Sequence, residues 1–278
     1  MFIFKNWKTF CKELQQHNIK TLTAAQAFKI SGIHTDYIII KHDVETNVKK
    51  ALKIARIEYQ HGIKATYYVQ AYLLSNAKNL KALLEIESLG HEVTYHYDVL
   101  DSNNGNWQKA DEEFTKNLKL FNSIFNNPVL TICPHGNPLL KREGWDSNKD
   151  FFRNKKVRKK YSNLVDIVIN PEIFINDKLL YISDAGFGWK QVSNIKENDR
   201  KISKDHPISD LNELLKIITN NPSGIILSSH PHRWNSNRIQ AWLQNKTFFF
   251  LRYVSKILFK SKFFKRIISK FYHLAKKI

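Results

Sequence analysis

The sequence predicts an α/β fold with a mainly parallel sheet closed into a barrel, and three observations carry that prediction. Apolar runs of strand length alternate with segments of helical periodicity, in about seven units. Asp43, His96, His135 and His230 each fall at the C-terminal end of one of those runs, the edge where α/β folds assemble their sites. A chain of 278 residues with 42% hydrophobic content has room for one barrel of about 200–250 residues and a substantial core.

Residues 5–30 place Trp7, Phe10, Cys11 and Leu14 at helical spacing, so one or two helices precede the first strand. The first strand is "DYIIIKHD" (36–43), β-branched and ending in polar residues. Residues 48–62 put Val48, Ala51, Leu52, Ala55 and Tyr59 on one helical face and stop at Gly62. "IKATYYVQ" (63–70) is a second strand, 79–90 a helix ending at Gly90, and "HEVTYHY" (91–97) a third strand. The alternation continues with a helix over 111–125, a strand over 128–136, short strands at "LVDIVIN" and "LLYIS", a helix over 208–220 and a strand over 223–230. The expected organisation is an N-terminal helical segment (1–35), a barrel (36–245) and a tail (246–278).

The formal charge of +19 is clustered. "RNKKVRKK" (153–160) holds six cations, and the last 33 residues hold ten Lys or Arg and no acid. In that tail Val254, Ile257, Leu258, Phe264, Ile268 and Phe271 recur in steps of three and four or their multiples, the pattern of a basic amphipathic helix. Such a helix is expected to lie in the plane of an anionic membrane surface, with folding back onto the barrel or oligomerisation as the alternatives. An apolar stripe is not required for phosphate contact, so nucleic acid is not an expected partner. Cys11 and Cys133 are too few and too far apart for a disulfide framework. The N-terminus lacks a signal-peptide pattern and no run reaches the ~18 apolar residues of a span. The expected location is therefore the cytoplasm, peripheral at the inner face of the plasma membrane through the tail.

Asp43 and Glu45 stand at i and i+2, so on an extended backbone their carboxylates point the same way. One suits a divalent cation and the other a proton; capping of the following helix is the competing role, above all for Glu45. His96 is a candidate ligand, whereas His91 points to the opposite face of a regular strand and reads as structural. Asp98 and Asp101 are loop acids that either solvate or complete a mixed site. His135 lies in the turn "CPHGNP", free to meet substrate. His230 ends a strand before Pro231 and suits a general acid, with His232 the weaker candidate. Asp184 and Trp189 of "SDAGFGW" either orient His230 and wall a pocket or form a surface turn.

Taken together, "IIIKHDVE", "GIKATYYV", "LGHEVTYH" and "ILSSHP" resemble the polysaccharide deacetylase superfamily and its NodB-homology domain, over roughly residues 36–235. "HDVE", "HYD", "HGNP", "DAGFGW" and "HPHRW" are similar to a divergent branch of it linked to bacterial surface polysaccharides such as O-antigen or capsule. The resemblance implies an irregular (β/α)7 barrel and metal-dependent hydrolysis of an N-acetyl or O-acetyl group on a sugar. It implies Asp43 as base, His230 as general acid, and Glu45 and His96 as metal ligands. His135, Asp184, Trp189 and Trp234 would meet the substrate, a carbohydrate that is nucleotide- or lipid-linked. The metal would be divalent, zinc first, with cobalt, nickel or manganese as alternatives. Three departures stand out. The family's adjacent acid pair is Asp43-Val44, so the metal carboxylate comes from Glu45 or from Asp43 itself; its second metal histidine falls on Leu100, leaving Asp98 or Asp101 to substitute; and the arginine of its "R.P.G" motif is missing from "CPHG". A second expectation is therefore a catalytically lapsed barrel that binds glycan or scaffolds other proteins. A third is a glycan hydrolase built on Asp43 and Asp184.

Overall fold

The structure, a computed structural model, describes residues 2–30, 36–137, 140, 142–174, 179–200, 204–221 and 224–258. In chain order its strands are β1 (Thr21–Leu22), β2 (Ile38–Val44), β3 (Thr66–Val69), β4 (Glu92–Tyr97), β5 (Thr131–Pro134), β6 (Val165–Asp166), β7 (Leu180–Ser183), β8 (Trp189–Val192), β9 (His206–Ile208) and β10 (Ile225–Ser229). Its helices are α1 (Phe4–Gln16), α2 (Ala24–Lys29), α3 (Val48–Gln60), α4 (Ala77–Ser88), α5 (Val99–Ser102), α6 (Trp107–Ile124), α7 (Lys149–Arg153), α8 (Lys155–Lys160), α9 (Leu211–Asn220) and α10 (Arg238–Leu258).

The strands follow one path, β6-β5-β4-β3-β2-β10-β7-β8-β9, parallel from β6 to β7 and antiparallel through β8 and β9. β1 pairs with Ile38 and Ile39 of β2, beside the stretch Lys41–Val44 that pairs with β3. The sheet curls strongly. Lys41 on β2 reaches within 3.4 Å of the Cys133 sulfur on β5. Those strands lie three spacings apart along the path, about 14 Å in a flat sheet. That curl makes the architecture barrel-like, although β6 and β9 do not pair with one another among the described residues.

Alternation along each strand separates two cores. Ile39, Tyr68, Cys133, Tyr181 and Ile226 fill the interior with Phe174. Ile38, Ile40, Tyr67, Tyr95, Ile132 and Leu227 face outward onto Trp7, Phe10, Ile54, Leu83, Phe114 and Phe121 of the surrounding helices. The same parity sends Lys41 and Asp43 to the interior side of β2. His42 turns outward, where its Nε2 donates to Glu58 at 2.7 Å. Glu58 also accepts from Tyr67 (2.6 Å) and Trp7 (3.2 Å), which ties α1 and α3 to the back of the sheet.

Three segments depart from the pattern read in the sequence. "LVDIVIN" pairs only at Val165 and Asp166, because the Asp166 carboxylate accepts from the backbone N–H of Val168 (2.8 Å) and Ile169 (3.0 Å) and turns the chain. The basic block 153–160 is largely helical, with Asn154 capping α8 through the N–H groups of Lys156 and Val157. The last helix starts at Arg238, ahead of residue 246, where the Asn237 side chain accepts from the Gln240 N–H at 2.9 Å. The tail beyond 258 lies outside the described residues. No helix among the described residues is long and apolar enough to cross a membrane.

Candidate metal centre

Glu45 follows β2 by one residue and carries its carboxylate into a ring of four histidines. Its Oε1 lies 3.2 Å from His135 Nδ1, 4.0 Å from His96 Nε2 and 3.8 Å from His230 Nε2, and its Oε2 lies 3.8 Å from His232 Nδ1. His96 comes from β4, His135 directly follows β5, and His230 and His232 follow β10. Burial alone would raise the Glu45 carboxyl, but the imidazoles of His135, His230 and His232 hold it well below the usual carboxylate range. Glu45 is therefore an anion at neutral pH.

His96 is oriented as a ligand. Its Nδ1 lies 3.0 Å from the carbonyl oxygen of Cys133, which can only accept, so Nδ1 carries the hydrogen. Nε2 is left with its lone pair, buried and without a hydrogen-bond partner. Burial first, together with the neighbouring His135 and Lys41, lowers the imidazole to about 4 against the pull of Asp43 and Glu45. The ring is neutral at pH 7, as a ligand must be.

Among the described residues, two trios of donor atoms lie within 4.8 Å of one another: Glu45, His96 and His135, and Asp43, His96 and Cys133. Lys41 decides between them. Its ammonium donates to both Asp43 oxygens (2.5 and 2.8 Å) and lies 3.4 Å from Cys133 Sγ, so a dication in the second trio would face a buried cation. The first trio fits a small metal. Tetrahedral zinc with nitrogen ligands at 2.0–2.1 Å needs donor separations of about 3.4 Å, and the separations of 3.2 and 4.0 Å from Glu45 bracket that value.

Asp43 and His230 border this trio. Asp43 pairs with Lys41, and Lys41 first, then His96 and His230, outweighs burial and keeps the carboxyl below its usual range. His230 Nε2 lies 3.8 Å from Asp43 Oδ2. Its Nδ1 donates to Asp184 Oδ1 at 2.5 Å, which fixes the tautomer and the ring's orientation. Asp184 is fully buried and is itself held by Ser229 Oγ (2.9 Å), the His230 N–H (3.0 Å) and Arg233 (2.7 Å). Trp234 donates to Ser229 at 2.9 Å, so a chain of hydrogen bonds runs from Trp234 through Ser229 and Asp184 to His230.

Several sequence expectations need correction. Asp101 is no ligand, because four donors saturate its carboxylate: Arg142 through Nε and Nη2 (2.7 Å each), Trp145 (2.9 Å) and Asn148 (2.9 Å). Asp98 immediately precedes α5 and lines a surface groove with Tyr72, Ser102 and Asn103, outside both trios. Leu100, where a second histidine was expected, is buried in the outer core, and His135 brings the third donor from the neighbouring strand instead. Trp234 is fully buried against Trp7 and Phe2, and Trp189 packs on Phe2, so neither offers a face to a substrate. Asp184 positions His230 rather than lining an open pocket. His91 bonds the Ala55 carbonyl at 3.0 Å behind the sheet. Sequence reasoning missed Lys41 and Arg233. The signal for Lys41 was present, since it stands two residues before Asp43 on the same face.

Among solved structures, the chain is similar to a CE4 family pseudoenzyme from Bacillus anthracis (14% identity, TM-score 0.43), over 77% of this chain and 60% of that one. It is also similar to a family 4 carbohydrate esterase from Streptomyces lividans in complex with acetate (12% identity, TM-score 0.43, 72% of this chain and 81% of that one). A third is the Xyl-CE4 domain of a multidomain xylanase from the hindgut metagenome of Trinervitermes trinervoides (16% identity, TM-score 0.42, 79% and 85%). No family model matches the sequence, and no curated protein matches it.

Proposed function

We propose that the protein is a metal-dependent hydrolase that removes an acetyl group from a sugar, on a nucleotide- or lipid-linked intermediate of bacterial surface-polysaccharide synthesis. The observation that supports this reading is the convergence of Glu45, His96 and His135 donor atoms beside Asp43 and an Asp184-oriented His230.

A divalent metal, zinc first, held by Glu45, His96 and His135 would supply Lewis acidity toward the acyl oxygen and a water of lowered pKa. The chain's own residues do the rest. Asp43, fixed by Lys41, stays ionised at neutral pH and presents an acceptor for the proton of the attacking water. His230 presents Nε2 on the same side, with Nδ1 anchored, to deliver a proton to the departing amine or alcohol. The C–O bond to water forms, the bond to the sugar nitrogen or oxygen breaks, and acetate is released.

A second reading, the lapsed glycan-binding barrel, is favoured by one observation: both Asp43 oxygens are engaged by Lys41. Metal analysis of the purified full chain, combined with acetate release from nucleotide- and lipid-linked N-acetyl sugars, separates the two. Stoichiometric metal, and activity lost in Asp43→Asn and His96→Ala, is expected. Absence of both metal and acetate release would favour the lapsed barrel.

A further inference from the structure

α10 is apolar on a side that none of the described residues covers. Ala241 is buried, and Phe248 packs on Phe187 with ring centroids 4.6 Å apart. Gln244 donates to the His232 carbonyl at 2.9 Å and accepts from Asn235 at 2.5 Å. The opposite side exposes Ile239 (72%), Trp242 (52%), Leu243 (51%), Phe249 (46%), Phe250 (65%) and Tyr253 (65%). Their spacing of three, four and seven makes one stripe along the helix. Six large apolar side chains on one exposed surface are far from the scattered exposure of an ordinary monomer.

Charge bears on which partner would suit them. The chain carries no acid after Glu213, and residues 238–278 contain Arg238 and the ten cations of the tail. Lys246 stands on the stripe itself, 5.9 Å from the Trp242 ring centroid. Two copies of this face would bring like charges together, whereas an anionic bilayer satisfies the apolar stripe and the cations at once.

We infer that α10 is an interfacial helix whose Ile239–Tyr253 stripe enters the headgroup boundary of an anionic membrane. The stripe begins ahead of the tail, on the helix whose other side holds the His232 loop and the Phe187 turn. The bilayer therefore lies beside the residues that flank the candidate metal centre. That the site thereby faces lipid-presented sugars rests on the hydrolase reading, whereas membrane binding does not. Vesicle binding by a protein without acetate release would fault the hydrolase alone.

The test uses the full chain and vesicles of phosphatidylglycerol and phosphatidylethanolamine, against vesicles of phosphatidylcholine. Co-sedimentation with the anionic vesicles is expected, weakened by raised salt and at least ten-fold weaker in Trp242→Glu/Phe250→Glu, whose side chains are exposed and dispensable to the core. Brominated lipid is expected to quench tryptophan emission in the wild type and much less in Trp242→Phe. Equal binding by the wild type and the double variant, or quenching unchanged by Trp242→Phe, would overturn the inference. So would self-association that the double variant abolishes without any vesicle binding.

Discussion

Glu45 and His135 stand 3.2 Å apart, although the strands that deliver them are separated by two others in the sheet. The curl of the sheet, rather than proximity in sequence, makes them neighbours. A carboxylate and an imidazole from opposite walls can then share one ion with His96 of the strand next to β5.

This arrangement makes the proposed ligand set testable. His135→Ala and His96→Ala are each expected to weaken metal binding by more than the ~10–100-fold typical of losing an outer-shell partner. Asp98→Asn is expected to leave metal content unchanged. Metal content after dialysis against a graded chelator reads both. Retention of metal by His135→Ala, with loss in Asp98→Asn, would restore the acid to the ligand set.

Asp101 has a structural assignment instead. Its carboxylate is buried and paired with Arg142, so Asp101→Asn leaves a mostly buried guanidinium without its counter-charge. The expected cost is about 3–5 kcal/mol in urea unfolding, with metal still bound by the folded fraction. A loss under about 1 kcal/mol would place this pair among ordinary surface bridges.

Lys41 and Asp43 form a buried pair, and removing one partner should cost more than removing both. Lys41→Met is expected to destabilise by about 3–5 kcal/mol and to abolish acetate release. Lys41→Met/Asp43→Asn should recover much of the stability and none of the activity. Additive losses in that double-mutant cycle would contradict a coupled pair.

Asp184 is expected to make the fold acid-sensitive. Burial opposes its ionisation, yet Arg233 and His230 bring the carboxyl down to about 2. A depressed folded-state value contributes stability that is complete above the ordinary carboxylate range and fades as pH falls from about 4 to 2. Against an ordinary value near 3.9 the contribution is roughly 2 kcal/mol. Asp184→Asn should therefore flatten the stability profile by that amount between pH 5 and 2. A variant whose profile runs parallel to the wild type across that window would refute this assignment.

Glu58 predicts a stability effect without a metal effect. Glu58→Ala strands the buried donors of Trp7, Tyr67 and His42, each worth about 1–3 kcal/mol when left unpaired. A drop of at least about 3 kcal/mol with unaltered metal content is expected, and co-loss of metal would tie this cluster to the site.

Asp43, His96 and His230 could be singled out because each closes an apolar strand, and strand ends in a parallel sheet share an edge. His135 was singled out for the same reason, but for contact with substrate. Its place beside Glu45 depends on how far the sheet curls, which no local spacing encodes. Asp98 and Asp101 are eligible in the sequence because they follow His96 closely; α5 begins between them and carries Asp101 to Arg142. Trp189 and Trp234 were misjudged because an aromatic near a site motif looks the same in sequence whether it packs under the site or over it. The start of α10 was legible in principle from Asn237, whose side chain accepts the Gln240 N–H.

The alternation on β2 has an implication for how the chain finds its pairing. His42 faces Glu58 and Asp43 faces Lys41 on opposite sides of one strand. A slip of one residue would exchange those faces. It would set the Asp43 carboxylate against Glu58 and leave His42 inside, so misalignment would meet like-charge repulsion as well as lost apolar contact. The first long strand thus carries an ionic key to its own register, cut from residues that border the candidate metal centre.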